Sequence, residues 1–145
     1  MAEKDQRKIP STRGLRHVAL KVSNLARSKA FYQKWFGMDI LWEPDAENVY
    51  MSSGVDNLAL HQIPSGELHE HRQGHGQFLD HLGFLMETPE RVDQLYKEVV
   101  EEGVTIVHHP KQHRDDCYSF YLADPDHIVI QILYDPTISA IRFSS

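Results

Sequence analysis

His17, His61, His81 and Gln131 stand apart from the rest of the chain's ten histidines and its other amides. Each lies on a short alternating run, on the side opposite the apolar residues. In RHVALKV, residues 16–22, Val18, Leu20 and Val22 share one side and leave His17, Ala19 and Lys21 on the other. In DHLGFLM, residues 80–86, His81 again stands at the front. Ile128, Ile130 and Ile132 share a face of the last run, so Gln131 turns the other way, and Leu58 and Leu60 likewise oppose Ala59 and His61. A neutral imidazole offers a nitrogen lone pair and an amide offers a carbonyl oxygen, so all four are donors for a cation or partners for a substrate. If the elements that carry them fold around a shared cleft, four donors from four strands converge in it.

Those elements follow from period and punctuation. After the first strand, Ser23 or Asn24 can cap a helix over residues 25–36, with Leu25, Phe31, Tyr32, Trp35 and Phe36 buried and Gly37 as its stop. Short strands follow at residues 39–42, 48–52 and 57–62. Residues 63–78 are polar, Gly-rich and hold Pro64, which reads as a linker. The pattern then restarts. A strand over 80–86 leads to Thr88-Pro89, a helix start, and Val92, Leu95, Tyr96, Val99 and Val100 recur at helical spacing up to Gly103. Strands at 104–108, 118–122 and 127–133 complete the series, with the turn DPD at 124–126 before the last.

Both halves therefore read strand, helix, strand, strand, strand, the mark of an internal duplication. Superposed, His17 meets His81, FYQKWFGM meets LYKEVVEEGV, and His61 meets Gln131 without a gap. A two-residue shift of the last hairpin would instead set Ala59 against Gln131 and leave His61 beside it.

With RHVALKVSNLARSKAFYQKWFGM, DHLGFLM and SFYLADPDHIVIQIL in view, the chain resembles the vicinal oxygen chelate superfamily of glyoxalases, fosfomycin and bleomycin resistance proteins and extradiol dioxygenases. The resemblance covers residues 14–134. It implies an α+β fold of two βαβββ modules, residues 14–62 and 79–134 around the 63–78 linker, forming a cupped mixed sheet. Residues 1–13 are then an N-terminal arm and 135–145 a C-terminal tail. It also implies a divalent metal in the cup, held by His17, His81 and Gln131. His61 is a fourth ligand if the ungapped alignment holds and a pocket residue if it does not. Three histidines with an amide suit zinc, iron, nickel or manganese rather than magnesium or calcium.

Gln131 departs from the family, which usually has Glu there. A neutral amide is a weaker ligand for a hard cation, but it leaves the ion its full charge to act as a Lewis acid. It cannot accept the proton that glyoxalase I passes to its carboxylate, so lactoylglutathione lyase activity of the usual kind is not expected. The iron set of two histidines and a carboxylate used by extradiol dioxygenases is also incomplete. The expectation is a metal-dependent enzyme, lyase, isomerase, transferase or dioxygenase, acting on a small oxygen-chelating substrate. The alternative is a metal-free ligand-binding protein like the bleomycin resistance proteins.

Other chemistry-bearing residues read as scaffold. His69, His71 and His75 fall in the linker GELHEHRQGHGQ, and His108, His109 and His113 fall in or beside the hairpin KQHRDD as rim residues. Arg114 on that hairpin reads as solvated and Cys117 as a packed thiol. Tyr118 and Phe120 alternate with Ser119 and Tyr121, so one pair lines the pocket; Tyr118 and Phe120 are assigned to it.

The remaining bounds are compositional. A length of 145 residues fits one domain, and 41% hydrophobic with 25% charged residues fits a globular core. A formal net charge of −6 argues against a nucleic-acid partner. No run approaches the roughly 20 apolar residues of a membrane span, and no signal-like apolar stretch follows the charged start. With a single cysteine, these features lead to an expected cytoplasmic location. Exposed sheet edges and the family habit together suggest a homodimer.

Overall fold

The computed structural model describes residues 14–70 and 78–139. Module one runs β1 (His17–Val22), α1 (Leu25–Phe36), β2 (Asp39–Asp45), β3 (Asn48–Ser52) and β4 (Asn57–Gln62). After a short 3-10 turn at Ser65–Glu70, module two runs β5 (Leu82–Leu85), α2 (Pro89–Glu101), β6 (Ile106–Gln112), β7 (Tyr118–Ala123) and β8 (Val129–Tyr134). The fold is α+β and duplicated, as the pattern predicted. No helix among the described residues is long and apolar enough to cross a membrane.

The helices begin and end where their punctuation says. Asn24 accepts from Arg27 N at 3.0 Å and Thr88 from Arg91 N at 3.2 Å, each satisfying a donor that the first turn leaves open. Gly37 ends α1 at φ 59°, a left-handed conformation that a side chain would strain.

Each module folds its strands into one mixed sheet, in the orders β1-β4-β3-β2 and β5-β8-β7-β6. The first and last strands pair in parallel, His17 opposite Asn57 through Val22 opposite Gln62, and Leu82 opposite Ile130 through Leu85 opposite Leu133. The other neighbours are antiparallel. One face of each sheet is closed by its own helix. Val22, Tyr32, Val49, Met51 and Leu60 are fully buried in module one, and Val92, Val99, Phe120, Leu122, Ile130 and Ile132 in module two.

Several boundaries differ from the sequence reading. β5 starts at Leu82, so His81 precedes the strand rather than opening it, and β8 starts at Val129 because His127 takes a turn conformation at φ 65°. β6 runs from Ile106 to Gln112 and so takes His109 into the strand beside His108. The linker holds the 3-10 turn, and β2 continues to Asp45 with every residue exposed.

The modules meet through α1. Phe36 stacks on Phe84 of β5, centroids 3.8 Å apart and 5° from parallel. The Tyr32 hydroxyl donates to Asp124 at 2.8 Å, Ser23 N and Oγ donate to Asp126, Arg27 pairs with Asp126 at 3.1 Å, and Lys34 pairs with Glu102. Phe84 lies across from Ile132, which is buried under α2, so α1 touches the helix-covered side of the second sheet. The opposite faces, which carry His17, His61, His81 and Gln131, therefore look away from the contact between the modules.

Candidate metal and substrate site

Each predicted histidine is held through Nδ1 and leaves Nε2 without a partner among the described residues. His17, the first residue of β1, has Nδ1 3.1 Å from the Asn57 carbonyl and 2.9 Å from Asn57 Oδ1, both acceptors, so that nitrogen carries the proton. His81 Nδ1 stands 2.6 Å from Asp80 Oδ1, and His61 Nδ1 stands 2.6 Å from Asn48 Oδ1. An acceptor on one ring nitrogen fixes the tautomer and directs the other lone pair outward, the arrangement that metal-binding histidines use.

Strand register decides between the two alignments of the last hairpin. His17 corresponds to His81, so Ala19 corresponds to Gly83. Ala19 pairs with Ala59, whereas Gly83 pairs with Gln131. Ala59 thus occupies the place of Gln131, and the gap-free pairing of His61 with Gln131 is corrected by one two-residue step of the strand. His61 lies opposite Lys21, on the same face as Ala59, with its ring against Tyr50 at 5.8 Å. Gly83 itself leaves room for its neighbour. A Cβ there would sit 3.2 Å from Leu133 Cδ2 and 3.4 Å from the Gln131 carbonyl.

On the open face of the second sheet, two adjoining cavities of about 780 and 700 Å³ share Lys111, His113 and Tyr121. His81, His108 and Ser119 line the larger, Gln131, Arg114 and Cys117 the smaller. Tyr121 is the hub. The rings of His81 and His108 each meet it edge-on at 5.3 Å. Burial, then the charge of Asp80, raises the Tyr121 phenol above its ordinary pKa, which keeps it a hydrogen-bond donor. Gln131 Nε2 donates to Ser119 Oγ at 3.0 Å, and His113 Nε2 lies 2.8 Å from the same oxygen.

The assignment of Tyr118 and Phe120 to the pocket is overturned. Phe120 is fully buried in the core, and Tyr118 turns to the helix side, its hydroxyl donating to Asp93 of α2 at 2.5 Å. The other pair, Ser119 and Tyr121, lines the cavities, because β7 follows the register in which Tyr121 faces Gln131. The register supplies what the sequence lacked: Phe120 pairs with Ile132, on the covered face. His108, His109 and His113, read from the sequence as rim residues, line the larger cavity. His69 lies in the 3-10 turn, and His71 and His75 fall outside the described residues.

The sequence profile of the Glyoxalase/Bleomycin resistance protein/Dioxygenase superfamily matches residues 14–132. The chain belongs to this superfamily. Among its relatives is the Bacillus subtilis (strain 168) protein YqjT, itself uncharacterized, 28% identical over 134 residues that span 82% of this chain and 97% of the relative. The lactoylglutathione lyase of Agrobacterium tumefaciens superposes with a TM-score of 0.68 at 19% identity, covering 88% of this chain and 96% of its own. The fosfomycin resistance protein FosX of Listeria monocytogenes superposes with a TM-score of 0.69 at 17% identity, covering 90% and 99%. At such identities these two likenesses establish the glyoxalase-like fold alone.

Members of this superfamily commonly use a divalent metal, and the donors of this glyoxalase-like chain suit one in kind: outward imidazole nitrogens and an amide oxygen. Among the described residues no three His, Cys, Asp or Glu side chains form a metal-binding group. His81 and Gln131 belong to module two and His17 to module one, and α1 meets module two on the side of its sheet opposite Gln131.

Proposed function

We propose that this protein is a metal-dependent enzyme of the glyoxalase/dioxygenase superfamily, acting on a small substrate that chelates the metal through neighbouring oxygens. The observation that carries the reading is the split donor set: His17 on one module, His81 and Gln131 on the other, both histidines held at Nδ1 and open at Nε2 among the described residues. Two half-sites that face away from their own partner module are completed by a second copy, module one of one protomer against module two of the other. A homodimer is therefore part of the proposal, as is a reducing, cytoplasmic setting in which the one cysteine stays free. Ala59 in the fourth position leaves His61 to the substrate pocket beside Tyr50.

When bound, the metal would polarise a substrate carbonyl or stabilise an oxyanion. The chain's own residues do the rest. Tyr121 stays protonated and donates to a substrate oxygen, while His108 and His81 hold its ring in place. Gln131 has no basic site to receive a proton, which disfavours glyoxalase I chemistry of the usual kind and leaves lyase, isomerase, transferase or dioxygenase reactions that do not need a base there.

The neutral amide favours one second reading, a metal-free ligand-binding protein similar to bleomycin resistance proteins. Metal analysis of the purified protein, with His17→Ala and His81→Ala beside it, separates the two. Stoichiometric metal lost in both variants supports the enzyme. A metal-free protein, or one whose metal content ignores both changes, sinks it.

A further inference from the structure

Gln131 has two unlike ends, and only one of them is a ligand. Oε1 attracts a cation and the NH2 group repels it, so an amide in this place works only when something fixes which end faces the cavity. A carboxylate needs no such fixing, because its two oxygens are alike. In this chain the NH2 end is claimed by Ser119, whose Oγ accepts from Nε2 at 3.0 Å, and Oε1 has no partner among the described residues.

Ser119 is only 1% exposed, so its hydroxyl must find its partners inside the protein. The same Oγ lies 2.8 Å from His113 Nε2, which brings a second side chain to the hydroxyl that holds Gln131. The three side chains form one connected network, Gln131 Nε2 to Ser119 Oγ to His113 Nε2, with the hydroxyl at its centre. His113 is anchored in turn at the base of the β6–β7 hairpin: its N–H donates to the Cys117 carbonyl at 2.8 Å, and its own carbonyl accepts from Asp116 N at 3.1 Å.

We propose that Ser119 and His113 are positioning residues for Gln131, holding its NH2 group toward β7 so that Oε1 is presented to the metal. The proposal rests on the reading of Gln131 as a ligand. It accounts for how a site that has exchanged a carboxylate for an amide keeps a usable oxygen, and it gives a role to a histidine outside the family's ligand positions.

The test is a double-mutant cycle on the full-length protein, with zinc affinity measured by competition against a chromophoric chelator. Ser119→Ala and His113→Ala are each made in the parent and in the Gln131→Glu background, and thermal unfolding of the metal-free proteins reports that each variant folds. In the parent, losing either residue weakens zinc binding by about tenfold, and in the Gln131→Glu background by less than about twofold. Equal losses in both backgrounds, or none in the parent, overturn the proposal. If Gln131→Ala itself leaves zinc affinity unchanged, the ligand reading falls and takes this proposal with it. A loss in Gln131→Ala with none in the Ser119 and His113 variants overturns the positioning role alone.

Discussion

Phe36 at the end of α1 lies flat on Phe84 of β5, with ring planes 5° apart and centroids 3.8 Å apart. One aromatic pair thus spans the boundary between the duplicated modules, and Tyr32, at 6.5 Å from the same Phe84 ring, reinforces it. Truncating either ring removes a half-buried aromatic surface and the stacking with it. We expect Phe84→Ala to lower unfolding stability by ~2–3 kcal/mol. Urea unfolding checks this, and an unchanged midpoint would mean that the modules are held by their polar contacts instead.

Those polar contacts centre on Asp124, which is 4% exposed and accepts from Tyr32, Asp126 N and Ile128 N. Burial raises its carboxyl above the ordinary 3.8 despite these bonds. A carboxyl that holds its proton more tightly in the fold contributes stability below its unfolded pKa, and this contribution is lost as pH rises through the folded value. The stability difference between the parent and Asp124→Asn should therefore move against the parent as pH rises above the ordinary carboxyl value of 3.8. A constant difference over that rise would show that the carboxyl is not raised.

Tyr32 gives a second handle on the same latch. Burial, followed by the charge of Asp124, pushes its phenol well above 10, so it remains the donor at every accessible pH. Tyr32→Phe leaves a buried carboxylate oxygen without that donor and should cost ~1–3 kcal/mol. Thermal unfolding at neutral pH measures it.

Gln131→Glu restores an anionic ligand at the module-two half-site. Zinc should bind about tenfold or more tightly, since each carboxylate adds charge-assisted affinity for a divalent ion. Binding no tighter than in the parent would show that the side chain at this position does not touch the metal.

Cys117 is buried, and desolvation, followed by Asp115, raises its thiol to about 11. Because only the thiolate reacts, alkylation of the native protein at about pH 8 should run about a hundredfold slower than that of an unfolded control. Comparable rates would mean that the β6–β7 hairpin opens readily around it.

Much of this fold was legible from alternation and punctuation alone. Val18, Leu20 and Val22 marked the buried side of β1, and Thr88-Pro89 and Gly37 marked helix ends, because such signals are local. What failed was long-range. Whether Ala59 or His61 stands in the place of Gln131 depends on how β4 slides along β1, and no residue within residues 57–62 records that. Tyr118 and Phe120 were misassigned for the same reason, since either face of an aromatic-rich strand looks equally apt for a pocket until its neighbour's register is known. The exposure of both donor faces was invisible too, because it is set by where α1 docks on the other module.

The parallel pairing of first and last strands also has a kinetic side. Among the described residues β5 has β8 as its one strand neighbour, so His81 and Gln131, fifty positions apart, come together only when β8 is present to pair with it. A chain still emerging from the ribosome displays the histidine long before the amide. At that stage His81 stands without Gln131 beside it, so the pairing of imidazole and amide on module two is a property of the finished fold alone.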